Sequence, residues 1–71
     1  MKLLKEAKAK KFSVEYYVKL HYDEEVGRYS VYTNNSNFNW GYSAVYDSLE
    51  EAENDFWHII NKYDFYKWEV K

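Results

Sequence analysis

Alternating apolar and polar residues predict three β-strands in this 71-residue chain. Apolar side chains occupy the even positions of residues 12–22, and the odd positions hold Ser13, Glu15, Tyr17, Lys19 and His21. A period of two over this length is typical of a strand with one buried face. The same alternation predicts a second strand over residues 28–33 and a third over residues 40–46.

Turn-forming residues separate these strands. The acidic segment of residues 23–27 ends in Gly27, a residue free to adopt positive φ, and this predicts a hairpin loop. Residues 34–37 (NNSN) predict a second turn, because asparagine tolerates the left-handed backbone and makes local side-chain turns.

A helix over residues 48–62 is the clearest helical signal. Ser48 followed by Glu51 forms a capping box, in which each side chain can satisfy a backbone N–H of the other residue. Apolar residues recur at helical spacing at Leu49, Ala52, Phe56, Ile59 or Ile60, and Tyr63. After this helix, alternation in residues 66–70 predicts a short strand or an extended tail on the sheet.

Residues 2–11 (KLLKEAKAKK) predict a short N-terminal helix, because they are good helix formers without a β-branched residue. This segment also carries charge: residues 1–12 have five lysines and one glutamate, whereas the rest of the chain has five basic and eleven acidic residues. The sequence therefore predicts a basic arm of net +4 on an acidic body of net −6.

Together these elements predict an α+β fold in one small domain, residues 1–71. The expected order is a short N-terminal helix, a three-stranded antiparallel sheet, one main helix and a C-terminal strand or tail. The chain contains no cysteine, and its apolar runs are too short for a membrane span or a signal-peptide core. We therefore expect a cytoplasmic protein that depends on packing, or on a partner, rather than on disulfides.

Catalytic and metal-binding signatures are missing from the sequence. His21 and His58 are the only histidines, and two histidines in separate elements lack the spacing of a metal site. The two glycines, Gly27 and Gly41, do not form a phosphate-binding loop, and no nucleophile elbow accompanies the serines. We therefore expect a protein without a cofactor that is not an enzyme.

The aromatic content instead indicates a binding surface. Nine tyrosines, four phenylalanines and three tryptophans exceed what so small a domain can bury, and exposed rings often anchor interfaces. On the open face of the predicted sheet, the candidate contacts are Tyr17, His21 and Tyr32. A second candidate contact is acidic and lies around the helix start: Asp47, Glu50, Glu51, Glu53 and Asp55.

These acidic residues have two explanations. They fit a protein partner with a basic surface, and several of them also complement the positive end of the helix dipole. The rings likewise have alternatives. An aromatic sheet face can stack the bases of a nucleic acid, and exposed rings on two copies of the chain can meet in a homodimer.

Two resemblances bear on these alternatives. In size and in its acidic, cysteine-free, Asn-, Lys- and Tyr-rich composition, the chain resembles small proteins of phages and mobile elements, among them the anti-CRISPR inhibitors. That resemblance implies an inhibitor or adaptor that binds a larger protein in the cytoplasm of a bacterial host cell, and it transfers no site residue. Residues 42–56 (YSAVYDSLEEAENDF) resemble the sheet-then-helix layout of the arm domains of tyrosine integrases, which implies nucleic-acid binding.

Overall fold

A computed structural model describes residues 2–11, 13–34, 42–63 and 67–71. Five strands and one helix lie in these ranges. Their bounds are β1 Lys2–Lys11, β2 Val14–Asp23, β3 Arg28–Thr33, β4 Tyr42–Tyr46, α1 Leu49–Lys62 and β5 Glu69–Val70.

The strands form one antiparallel sheet in the order β4-β3-β2-β1-β5. The first four strands follow one another across the sheet, and α1 then returns the chain to the opposite edge, where β5 pairs with β1. The α+β class predicted from the sequence is confirmed. Within the described ranges, no helix is long and apolar enough to cross a membrane.

The predicted N-terminal helix is wrong, because residues 2–11 form β1. Ala7 lies opposite Val18 and Ala9 lies opposite Tyr16 in the β1–β2 pairing, and both alanines are buried. The intervening Lys8 is exposed. Helix propensity is a weak preference, and pairing with a ten-residue neighbouring strand overrides it. The alternation of alanine and lysine was the strand signal in this segment.

The predicted three-stranded sheet is also wrong, since the sheet has five strands. The C-terminal strand is confirmed as β5, which lies against β1. Glu6 and Lys71 exchange backbone hydrogen bonds of 3.2 and 2.7 Å there. Without β1 as a strand, the sequence offered β5 no neighbour with which to pair.

The central hairpin is confirmed. The N–H of Gly27 donates to the carbonyl of Asp23 at 2.8 Å, and Gly27 has the predicted positive φ, at 67°. At the far end of β2, the Asn34 side chain accepts from the Tyr17 N–H at 2.9 Å and donates to the Glu15 carbonyl at 2.8 Å. Residues 35–41, including the rest of the predicted NNSN turn and the first residues of the predicted third strand, lie outside the described residues.

The main helix is confirmed as α1, with Ser48 as its N-cap. The Ser48 Oγ accepts a hydrogen bond from the Glu51 N–H at 3.2 Å, which satisfies one donor that the helix itself cannot. One side of α1 is buried, and it consists of Ala52, Phe56, Ile59 and Ile60.

The core lies between α1 and one face of the sheet. Phe56, Leu20, Val18 and Val31 are the largest fully buried side chains. The margin of this core is aromatic, and it consists of Tyr29, Tyr46, Tyr63 and Trp68. Among the described residues, α1 packs on this face alone, so the other face of the sheet, hereafter the open face, carries side chains that are available for contact.

Candidate protein-interaction surface

The register of β2 and β3 brings the three predicted ring residues together on the open face. Tyr32 on β3 lies opposite Lys19 on β2. Tyr17 and His21 are two positions before and two positions after Lys19, so the Tyr32 side chain lies between theirs. The Tyr32 and His21 rings are stacked, with centroids 5.1 Å apart and planes 19° apart. Tyr17 meets Tyr32 edge to face, with centroids 6.3 Å apart. We call these three residues the ring cluster, and all three are half-buried.

A charged network adjoins the ring cluster on the β1 side. The Lys19 Nζ lies 4.5 Å from the centroid of the Tyr17 ring and 3.7 Å from Glu6 Oε2. The other carboxylate oxygen of Glu6 lies 3.6 Å from the Lys8 Nζ. Partly exposed ion pairs of this kind contribute about 1 kcal/mol or less each to stability. Their effect is to hold Lys19 over Tyr17 and so to fix one side of the cluster.

The surroundings keep both titratable rings neutral. Burial lowers the pKa of His21, and the neighbouring Lys19 ammonium lowers it further, against a weaker opposing effect of Glu6. The Nδ1 atom of His21 is buried and has no hydrogen-bond partner among the described residues. Burial likewise raises the pKa of Tyr32, with Tyr17 and Glu6 adding to the effect. A neutral imidazole stacked on a neutral phenol therefore forms the centre of the open face.

The lowered pKa of His21 predicts that acid weakens the fold. As pH falls through the ordinary histidine pKa of about 6.5, the unfolded chain takes up a proton that folded His21 resists, so the free energy of unfolding decreases. A His21→Phe variant keeps a ring on Tyr32 and lacks the proton site. Urea unfolding above and below that pH should show that acid lowers the free energy of unfolding less in the variant than in the unmodified chain. Identical losses in the two proteins would contradict this assignment, because His58 and the carboxylates are common to both.

The predicted acidic residues do not join the ring cluster. Glu50 and Glu51 are exposed in the first turn of α1, and the half-buried Glu53 and Asp55 follow them on the same helix. Since α1 covers the other face of the sheet, these side chains belong to a separate surface. Asp47 precedes the helix and pairs with Arg28, with Oδ1 and Nε 3.2 Å apart.

Sequence reasoning missed the charged residues that border the ring cluster on β1 and β5. A groove on this side is lined by Lys8, Lys10, Glu15, Tyr17, Lys67 and Glu69. The predicted helix over residues 2–11 would place Lys8 and Lys10 away from the rings. Their alternation with Ala7 and Ala9 was the signal that could have placed them on the open face.

The two histidines lie apart, as predicted, with His21 on the open face and His58 exposed on α1. In the part of the chain that the structure describes, no three His, Asp or Glu side chains are grouped closely enough to hold a metal ion.

No protein-family model matches the sequence, and neither a curated protein nor a solved structure matches the chain. The resemblances to anti-CRISPR inhibitors and to integrase arm domains thus remain predictions from the sequence.

Proposed function

We propose that this chain is a non-enzymatic domain that binds a larger protein through its open face and so acts as an inhibitor or adaptor. The observation that carries the proposal is the arrangement of this face, with a ring cluster at its centre and paired opposite charges around it. Protein interfaces have the same anatomy, an aromatic-rich centre surrounded by a polar rim.

The ring cluster supports binding because its rings are ordered before a partner arrives. His21 stacks on Tyr32, and Tyr17 is held between Tyr32 and the Lys19 ammonium. Aromatic rings give a large contact area and have few rotatable bonds, so little conformational entropy is lost on binding. A partner that covers these rings would bury their apolar area without the entropy cost of ordering their side chains.

The charges around the rings favour a protein as the partner. Lys10 lies opposite Glu15, and Lys8 lies opposite Glu69 across the β1–β5 pairing. Lys19 and Arg28 have carboxylate partners as well. A surface of alternating signs complements the mixed charges of another protein, whereas a phosphate backbone requires cations without interspersed carboxylates.

The open face offers a large part of the area that a standard interface uses. From the lengths of β1 to β4, a rise of about 3.3 Å per residue and a strand spacing of about 4.8 Å, its projected area is about 500 Å². Its accessible area exceeds this projection because the side chains protrude from the sheet. One partner in a standard complex buries about 800 Å², so a single docking event can use the whole face.

The inhibitor or adaptor role is supported by the size and composition of the chain, which resemble those of anti-defence proteins made by phages and mobile elements. A small domain acts in this way by covering a functional site on a larger host protein, and we place this action in the cytoplasm of a bacterial host. The acidic surface of α1 offers a distinct contact for a partner with a basic surface, and the same experiment tests both surfaces.

Affinity capture from a bacterial host lysate tests the proposal with two matched variants. A Tyr17→Ala/Tyr32→Ala variant should lose at least about tenfold in capture of the partner, because truncating a central interface ring typically costs 2 kcal/mol or more. A Glu50→Lys/Glu51→Lys variant changes only the α1 surface and should capture as the unmodified chain does. Thermal unfolding of all three proteins checks that each one is folded.

The opposite pattern would contradict the proposal. Capture that survives loss of the rings and disappears on charge reversal in α1 would move the interface to the acidic helix, facing a basic partner. Adding Asp55→Lys to the Glu50→Lys/Glu51→Lys variant would then test whether Asp55 belongs to the same interface.

Nucleic-acid binding is a second candidate, because β1 brings Lys8 and Lys10 to the same face as Tyr17. Lysines beside an aromatic ring are the elements of a single-strand binding surface. Titration with labelled single-stranded and duplex DNA at two salt concentrations tests this candidate. Its affinity must rise as salt falls, so a lack of binding at low salt would remove it.

A further inference from the structure

The fold concentrates positive charge at one edge of the sheet. Residues 2–11 and 67–71, which lie side by side as β1 and the segment containing β5, carry seven lysines and two glutamates, a net charge of +5. The other described ranges, residues 13–34 and 42–63, carry three basic and nine acidic residues, a net charge of −6. We call residues 2–11 and 67–71 the basic edge.

The groove described above lies where the basic edge meets the ring cluster. Lys8, Lys10 and Lys67 line it on the side of the basic edge, and Tyr17 and Lys19 line it on β2. Lys67 holds a left-handed backbone, with φ of 56°, which only glycine adopts without steric cost. The next residue, Trp68, packs against the core and donates from Nε1 to the Tyr63 carbonyl at 3.0 Å. The turn at Lys67 thus connects the groove lining to the half-buried side chain of Trp68.

We propose that this groove binds an extended, acidic segment of the partner protein, an inference that rests on the proposed function. Lys8 and Lys10 are two residues apart on one face of β1, so their ammonium groups repeat about every 6.8 Å. An extended peptide with Asp or Glu at every second position presents carboxylates at the same spacing. An apolar or aromatic side chain between them would contact the Tyr17 ring.

The carboxylates of the groove favour a peptide over a nucleic acid. Glu15 and Glu69 line the groove beside the lysines. Peptide N–H groups can donate to these carboxylates and so offset their repulsion of the peptide's own acidic side chains, whereas a phosphate backbone is repelled and has no N–H donor. Beyond the basic edge, a longer polyanion would also meet the −6 charge of the other described ranges. A short acidic peptide can stay within the groove.

Fluorescence anisotropy with synthetic peptides tests the inference on the full chain. The probe is a labelled peptide alternating Glu with Tyr or Ser, and the matched control replaces each Glu by Gln. We expect the acidic peptide to bind at least about tenfold more tightly, with an affinity that falls as salt rises. Lys10→Glu should weaken this binding about tenfold. Lys62→Glu makes the same charge change on α1 and should alter it less than about twofold.

A Lys67→Gly variant separates binding from folding. Glycine suits the left-handed backbone at this position, so the melting temperature should stay the same or rise. The acidic peptide should nevertheless bind several-fold more weakly, because one ammonium group of the groove is gone. Unchanged peptide affinity in this variant would overturn the role assigned to Lys67. If the affinity were also unchanged in Lys10→Glu, the groove would be excluded as the binding site.

Other results would also overturn the inference. Equal affinity for the acidic and neutral peptides, or no measurable binding of the acidic one, would exclude an acidic segment. If capture of the partner still required Tyr17 and Tyr32, the proposed function would stand despite that failure. Tighter binding of a single-stranded oligonucleotide of equal charge, weakened by Lys10→Glu, would replace the peptide by a nucleic acid. Light scattering could instead show a concentration-dependent dimer that Lys10→Glu dissociates. The ligand of the groove would then be a second copy of the chain and not an acidic peptide of a partner.

Discussion

Replacing Phe56 by alanine is expected to remove most of the stability of this domain. Phe56 is fully buried in the core that α1 forms with the sheet, beside Leu20 and Val31. Truncating a buried phenylalanine typically costs about 3–5 kcal/mol, which includes the cavity that remains. A 71-residue domain without disulfides has a total stability of similar size, so a large part of the variant should be unfolded at room temperature.

Urea unfolding followed by circular dichroism measures this loss, and Trp57→Ala is the matched control. Trp57 is the next residue on α1, but it lies on the outer side and is 39% exposed. Its truncation should cost less than about 1.5 kcal/mol, mainly through the lost edge-to-face contact with Phe56. Equal losses from the two substitutions would contradict the orientation of α1 against the sheet.

Introducing a carboxylate at Ala7 should have an effect of similar size. Ala7 is fully buried, opposite Val18 on one side and Val70 on the other. A buried carboxylate without a partner costs about 3–5 kcal/mol, or forces the strand out of the sheet. We therefore expect Ala7→Asp to unfold the domain, or to detach β1 and with it β5.

Lys8→Asp is the control for this prediction, because the neighbouring side chain points to the open face and is 59% exposed. This variant loses the ion pair with Glu6 and should lose less than about 1 kcal/mol. Thermal unfolding of both variants gives the comparison. Similar losses of thermal stability in Ala7→Asp and Lys8→Asp would contradict the assignment of residues 2–11 to strand β1. They would favour the short helix or arm that the sequence alone predicts.

The contrast between β1 and β2 shows which parts of this fold the sequence could predict. In β2, large residues such as Val18 and Leu20 alternate with polar ones, and both the pattern and the β-propensity indicate a strand. In β1, the buried positions are Ala7 and Ala9, which are small and favour helix. The core side chains opposite these alanines are bulky, so small residues fill the remaining space. The helix propensity of alanine then predicts a helix where the chain forms a strand.

The candidate site was predictable to a similar extent. The parity of Tyr17, His21 and Tyr32 placed them on the open face, but their contacts depend on the β2–β3 register, which a single sequence does not specify. The basic side of the site required β1 to be a strand. The position of Lys67 depends on a left-handed residue beside the Trp68 anchor, and no turn signal in the sequence marks it.

The assignment of β1 also changes the meaning of the charge asymmetry. The sequence alone predicts a short basic helix or arm of net +4 on an acidic body of net −6. As a strand in the sheet, the same segment gives the open face its lysines and lies beside the ring cluster. The groove, the rings and their charged rim thus form one continuous surface, while the acidic residues of α1 lie on the other side of the sheet.

The central claim is that a protein partner docks on the open face, and an NMR titration of the ¹⁵N-labelled chain with the captured partner tests it most directly. We predict that the largest shifts or the strongest broadening fall on Tyr17, Lys19, His21 and Tyr32, while the amides of Glu50, Glu51 and Trp57 stay unperturbed. Perturbation concentrated on α1, with Tyr17 and Tyr32 unchanged, would contradict the account.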